Sequence, residues 1–298
     1  REGITDAELR QFVYKFRIGK CIFPEQCWER VFQIGAYLKS INVYCFAVPN
    51  VEIVRLNEIE LFKCFYKILS PSKILVDEFR KHKITNLDYI GHSATDNTLE
   101  KSCTNKIKIV HIAGLNAEIR KKTIKVVKAF NDFCNKNPHI DCELVVTIEG
   151  NIPNEIYSLL NDKIILIDYH LEHNKIIDLY KKSHLSIQVS SHEGIGIGFY
   201  ESISCSTPVI SLNIAPHNEV IIDGINGWLL ECKSVVLTDN DQAIIKGGEF
   251  EISNLANKIS QVCNDIPMLN NMILSTIEHF KNNFTDDKLI ERIIKNIK

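Results

Sequence analysis

Two glutamates, Glu193 and Glu201, stand eight positions apart around the run Gly194-Ile195-Gly196-Ile197-Gly198. The preceding LSIQVSS reads as a strand and the sequence from Phe199 onward as a helix, so the glycines mark a strand-to-helix handover. Glycine lets a backbone approach a ligand closely, and the amides that open a helix carry partial positive charge; together they cradle phosphate. Carboxylates do not bind phosphate; they accept hydrogen bonds from hydroxyls. An acid on each side of an anion cradle fits a ligand with hydroxyls on both sides of a phosphate group. Ribose, diphosphate and hexose, joined in that order, have this shape. The competing reading of the same run is tight packing at a turn beside two ordinary surface acids.

The elements that must hold these groups alternate along the chain. RIGKCIF, NVYCFAV, KIL and LDYIG read as strands, with EQCWERVFQIGAYLK, NEIELFKCFY and EFRKH as helical segments between them. Residues 95–106 are polar and aperiodic and read as a linker. A fuller set follows: strands IKIVHIAG, CELVVTI, KIILID, LSIQVSS, PVISLN and GWLL, with helices RKKTIKVVKAFNDFCN, NEIYSLLN, HNKIIDLYKKS, FYESISC and HNEVIID. Two helices close the chain, around 253–264 and 267–297, the second broken near FTDDK. This rhythm predicts an α/β protein with parallel sheets and helices on their faces. Four regions are expected: a partial, incomplete N-terminal Rossmann-like lobe at 1–94, the linker at 95–106, a second Rossmann-like lobe at 107–275, and a helix at 276–298 that crosses back to the first lobe.

Composition narrows the function classes. The 35 basic and 37 acidic residues are well mixed, so no basic excess points to nucleic acid. No apolar run reaches the roughly 20 residues that span a bilayer, and no secretory apolar core opens the chain. The ten cysteines are scattered without a CxxC pair and mostly in apolar segments, which suits reduced thiols in a cytoplasmic protein. The first residue is Arg, so the sequence is expected to be a piece of a longer polypeptide with further domains.

From SSHEGIGIGFYE through SISCSTPVISLNIAPHNEVIIDGINGWLLE, the sequence resembles the C-terminal lobe of retaining GT-B glycosyltransferases, specifically glycosyltransferase family 4. The likeness rests on the E-x7-E pair Glu193 and Glu201, on TPVIS, on NEVIIDGINGWLL and on their spacing. Upstream, HIAGLNAEIRKKTIKVVKAF is similar to the family's glycine turn and basic helix pattern, with Arg120 and Lys121 in the basic positions. YCFAVPNVEIVR and NLDYIGHS resemble late strands and hinge of the first lobe. The likeness runs from about residue 18 to the end and is closest over 190–231.

The resemblance implies transfer of a sugar from a UDP- or GDP-linked donor to a glycan, lipid or protein hydroxyl, with retention and without a metal. Glu193 would contact the donor sugar, and Gly194, Ile195, Gly196 and Ile197 would bring their backbone to the sugar or diphosphate. Glu201 would hold the ribose, Gly114 and Asn116 would form the first glycine turn, and Arg120 and Lys121 would neutralise the departing diphosphate. Glu193, Lys121 and Arg120 are thus the expected catalytic groups. Two positions depart from the family: Leu115 replaces an arginine and Ser206 a glycine. A lobe that binds donor without catalysis is the alternative.

Other motifs compete less well. GIGIG is not the G-x-G-x-x-G of dinucleotide folds. Asp239 and Asp241 have the spacing of a metal-binding DxD but fall in a polar stretch. His170, Glu172 and His173 could ligate a metal, yet they read as a surface loop that frames a base. His92 reads as a hinge residue, and Glu52 as a surface or capping group.

Overall fold

The structure, a computed structural model, describes residues 4–25, 28–115, 117–237 and 242–298. The chain divides into two compact units: 1–92 with 237–245 and 289–298, and 93–236 with 246–288.

The first unit opens with α1 (Asp6–Phe16), entered through a capping box in which Thr5 and Glu8 satisfy each other's backbone. There follow β1 (Lys20–Glu25), α2 (Glu29–Ser40), β2 (Tyr44–Pro49), β3 (Lys67–Ser70), α3 (Lys73–Lys81) and β4 (Leu87–Tyr89). The strands lie in the order β1-β2-β3-β4, all parallel. The segment NEIELFKC, read as a helix, forms a 3-10 helix over Leu56–Cys64. Its apolar positions Ile59 and Phe62 are fully buried with Phe65 and Phe79 in one core. The tighter winding keeps both on the inward side, as i and i+3 eclipse in a 3-10 turn.

The second unit holds β5 (Ile107–Gly114), α4 (Thr123–Lys136), β6 (Cys142–Ile148), α5 (Asn154–Leu159), β7 (Ile164–Ile167), α6 (His173–Lys182), β8 (Leu185–Gln188) and α7 (Ile197–Ser204). It continues with β9 (Val209–Leu212), α8 (His217–Val220), β10 (Gly227–Leu230), β11 (Lys233–Val235), β12 (Gly247–Glu249), α9 (Ile252–Cys263) and α10 (Ile266–Asn283). The last helix, α11 (Asp286–Ile297), begins in the second unit and ends in the first. Six parallel strands run in the order β10-β9-β8-β5-β6-β7, and β11 pairs antiparallel with β12. Every residue of β8 and β9 is buried, as expected of inner strands covered on both faces. On α4, Val126, Val127, Phe130 and Phe133 recur at helical spacing, and all four are fully buried.

Three boundaries differ from the sequence reading. Helix α4 starts at Thr123, because Lys122 takes a left-handed conformation (φ 55°) that no helix interior allows. Arg120 and Lys121 therefore lie in the preceding loop. Helix α7 starts at Ile197, two residues earlier than the sequence suggests, since Gly196 (φ 74°) supplies the turn into it. The third is the segment 95–106, which packs as part of the second unit. There the Lys101 ammonium donates to the carbonyls of Tyr180 (3.1 Å), Ser183 (2.6 Å) and Cys205 (2.9 Å) and to the Thr207 hydroxyl (2.6 Å).

Candidate active site

In a parallel sheet the loops that leave the carboxyl ends of neighbouring strands meet at one edge. Strands β5 and β8 are neighbours, so the loop after β5 (115–122) and the loop after β8 (189–196) come together there. Their backbones are tied directly: the Ser191 amide donates to the Arg120 carbonyl at 2.7 Å. Ser191 in turn accepts from the Gly248 amide at 2.6 Å, which fastens β12 against the same loop. Beneath them, His111 of β5 links the sheet to α4. Its Nδ1 donates to the Ile187 carbonyl (2.8 Å), which leaves Nε2 to accept from the Thr123 hydroxyl (3.0 Å). Burial pushes this imidazole down to about 4, so it is neutral at physiological pH. Glu118 caps the start of α4 by accepting from the Ile124 amide.

This scaffold brings Glu193, Lys121 and Arg120 into one cluster. The Lys121 ammonium donates to Glu193 Oε1 at 2.6 Å, and Arg120 Nη1 stands 3.7 Å from Oε2. Glu193 is only 7% exposed. Burial alone would raise its pKa, but the charges of Lys121 and then Arg120, helped by the hydrogen bond from Lys121, hold it below the usual carboxylate range. A buried carboxylate at such a place is an ion paired with both of its cations.

The glycine run forms the entry to α7. A Cβ on Gly196 would meet the Phe199 ring at 2.4 Å, and one on Gly198 would meet Gln188 Oε1 at 2.8 Å, so both positions need glycine for space. Gly194 and Gly196 are buried, Ile195 is half-buried, and the Ile197 side chain turns outward at 55% exposure. Gln188 Nε2 donates to the Gly198 carbonyl, fixing the first turn of α7 to β8. The helix opens with amides directed at the same edge as Glu193.

Glu201 lies on α7 and is separated from the cluster in its partners. It pairs with His173 Nε2 at 2.9 Å, at the first position of α6. His170 pairs with Glu149 instead, so the sequence cluster His170-Leu171-Glu172-His173 is split between two acids. Among the described residues no group of three or more His, Cys, Asp or Glu side chains is placed to hold a metal. Gly114 closes β5 in a left-handed conformation (φ 59°), and Leu115 behind it is 73% exposed. Asn116, Asp239 and Asp241 lie outside the described residues.

Ser206, at the position where the resembled family carries glycine, also takes a left-handed conformation (φ 59°). Its hydroxyl accepts from the Leu99 amide at 2.9 Å, a bond no glycine could make. Glu249 belongs to none of the sequence motifs. It accepts from Lys122 Nζ (2.6 Å) and Lys125 Nζ (2.8 Å) and steadies the loop that bears Arg120 and Lys121. The Gly247-Gly248 doublet, a sign of close backbone approach, is the available signal.

Residues 100–246 match the profile of the family described as Glycosyl transferases group 1. Comparison with curated protein sequences gives no match. Among solved structures, a glycosyltransferase from Rickettsia africae ESF-5 superposes with a TM-score of 0.74 at 16% identity, covering 97% of this chain and 79% of that one. Anabaena Alr3699/HepE, solved in complex with UDP, gives a TM-score of 0.74 at 12% identity, covering 98% and 81%. The pneumococcal O-GlcNAc transferase GtfA, solved in complex with UDP and GlcNAc, gives 0.68 at 16% identity; the match covers 98% of this chain but 59% of that protein. No helix among the described residues is long and apolar enough to cross a membrane. Residues 100–246 are thus similar to the glycosyl transferases group 1 family, and the α/β fold with parallel sheets is the one shared with GT-B glycosyltransferases and their Rossmann-like lobes.

Proposed function

We propose that this chain transfers a sugar from a nucleotide-diphosphate sugar to an acceptor hydroxyl, with retention at the anomeric carbon and without a metal ion. The observation that carries the reading is the cluster of Lys121, Arg120 and Glu193 beside the glycine-led start of α7. Charge grows on the diphosphate as the glycosidic bond breaks, and fixed cations plus helix-start amides stabilise that charge. Lys121 and Arg120 supply the cations in the place a metal would otherwise take. Glu193 accepts from hydroxyls of the donor sugar, and Glu201, one turn into α7, accepts from the ribose.

Donor binding falls in this reading to residues 107–275, and acceptor binding to residues 1–94. The acceptor is a glycan, lipid or protein hydroxyl. The UDP present in two of the similar structures supports a UDP-linked donor. The exposed Leu115, standing where the resembled family carries an arginine, favours a second reading in which donor binds without turnover.

Calorimetric titration with UDP, GDP and their sugar conjugates, with and without chelator, tests both readings. Chelator-insensitive micromolar binding, followed by release of free nucleoside diphosphate with a suitable acceptor, supports the transferase. Binding without any turnover supports the second reading, and binding that needs a metal removes the role given to Lys121 and Arg120. The anomeric configuration of the product, read by NMR, tests retention.

A further inference from the structure

A separate pair of groups lies at the opposite edge of the six-stranded sheet. Cys134 stands in the last turn of α4, and Cys142 is the first residue of β6. Their sulfurs are 3.8 Å apart. The intervening residues 135–141 close a short loop, so the two thiols are held together by adjacent elements. Cys142 is buried and Cys134 half-buried.

The two thiols differ from the rest. Burial pushes Cys45 up to about 12 and Cys64 up to about 11, and it raises Cys21, Cys103, Cys205, Cys232 and Cys263 as well. Cys134 alone among the described cysteines is lowered. Its hydrogen bond with Cys142 is the largest cause; burial opposes it, and the charge of Lys163 assists. Cys142 moves upward, first through that same bond and then through burial. Cys134, the half-buried sulfur, is the one a small oxidant can reach, and Cys142 is its buried neighbour 3.8 Å away.

We propose that Cys134 and Cys142 form an oxidisable dithiol, which closes to an intramolecular disulfide on reaction with a peroxide. The Cys134 thiolate attacks one oxygen of hydrogen peroxide, the O–O bond breaks, and the departing hydroxide leaves as water after taking a proton. Cys134 becomes a sulfenic acid. The Cys142 sulfur then attacks Cys134 Sγ, the S–O bond breaks, and a second water carries off the Cys142 proton. Two electrons pass from the sulfur pair to the peroxide. The sulfurs must close from 3.8 Å to about 2 Å, which a small shift of the last turn of α4 supplies. This inference is independent of the sugar-transfer reading, since the pair lies at the amino end of the strands and the candidate site at the carboxyl end.

The test is titration of the folded protein with hydrogen peroxide, followed by alkylation of remaining thiols, trypsin digestion and mass spectrometry. Cleavage after Lys136 separates the two cysteines into different peptides. The expected result is a Cys134–Cys142 linked pair, two hydrogens lighter than the sum, formed before the other described thiols lose their reactivity and reversed by dithiothreitol. Cys142→Ser should instead leave Cys134 as a sulfenic or sulfinic acid, with circular dichroism confirming the fold. Cys134 joined to another cysteine, Cys134 over-oxidised in the wild type, or both thiols still alkylated while others are lost would each overturn the proposal.

Discussion

The Lys121 ammonium donates to Glu193 Oε1 at 2.6 Å, so the two groups assigned to opposite parts of a donor are partners of each other. In the proposed reading, a bound diphosphate would compete with Glu193 for that cation. Glu193→Gln keeps the shape, removes the charge and leaves the Lys121 and Arg120 charges to act on phosphate. Free nucleoside diphosphate should bind as tightly as before or tighter, while transfer falls about 100-fold, the size seen when one charge-matched transition-state contact is lost. Calorimetry and turnover, measured on the same variant, separate the two effects. Unchanged turnover would remove Glu193 from the chemistry.

The converse change acts on stability. Lys121→Met leaves a carboxylate that is 7% exposed with Arg120 at 3.7 Å as its remaining cation. Stranding a buried charge costs about 3–5 kcal/mol when its only partner is removed, and Arg120 should reduce that toward the lower end. Urea denaturation should show the loss, and Glu193→Gln in the same background should recover most of it.

Glu201 and His173 make a more open pair, with the Glu201 side chain 19% and the imidazole 72% exposed. If Glu201 holds the ribose, Glu201→Ala weakens nucleoside-diphosphate binding about tenfold, the worth of one good hydrogen bond to a charged group. His173→Ala should change affinity less, because it removes a competitor for the carboxylate and not the carboxylate itself. Equal losses from both variants would mean that the pair braces α6 against α7 and does not touch ligand.

Much of this arrangement was legible in the sequence because parallel α/β order is written in alternating periods. The six strands of the second unit's parallel sheet and the handover near Gly196 could be read from apolar runs and glycine alone, whereas the short β11–β12 pair could not. The cluster was legible only through resemblance: Arg120 and Lys121 are 72 positions or more from Glu193, and no local pattern pairs them. Their meeting depends on β5 and β8 being neighbours and on the Ser191–Arg120 backbone bond, both set by tertiary structure. Lys101 was hidden for a related reason. A polar, aperiodic stretch looks like linker, whereas its lysine finds four acceptors at the ends of α6 and α7 that only the folded chain assembles.

Gly196 combines two demands, a left-handed backbone and space beside Phe199. Gly196→Ala should therefore cost about 2–4 kcal/mol, from 1–2 for the backbone and a similar amount for overpacking. It should also weaken nucleoside-diphosphate binding, as the start of α7 moves. Gly224→Ala is the control: its φ of 75° carries the same backbone cost, but nothing lies within 4 Å of the added carbon. A smaller loss of stability there, with binding unchanged, would assign the difference to the Phe199 contact.

Acid should unfold the second unit through its buried histidines. Burial pushes His111 and His217 down to about 4, and burial with the charges of Lys101 and Lys108 does the same for His184. In the unfolded chain each imidazole takes its proton near 6.5. Between these values the unfolded state binds protons that the native state refuses, so stability is complete above about pH 6.5 and falls as pH drops toward 4. The two fully buried histidines cost roughly 3 kcal/mol each across that window, from about 1.4 kcal/mol per pKa unit. Glu193 extends the loss to lower pH, because its depressed pKa adds stability above the ordinary carboxylate range that disappears when it is protonated. The midpoint of urea unfolding, followed from pH 7 to pH 4, should drop steeply. His217→Phe should flatten part of the slope, since it removes one proton-binding site of the unfolded chain while keeping a ring against Phe199. An unchanged slope in that variant would show that His217 does not titrate on unfolding in this window.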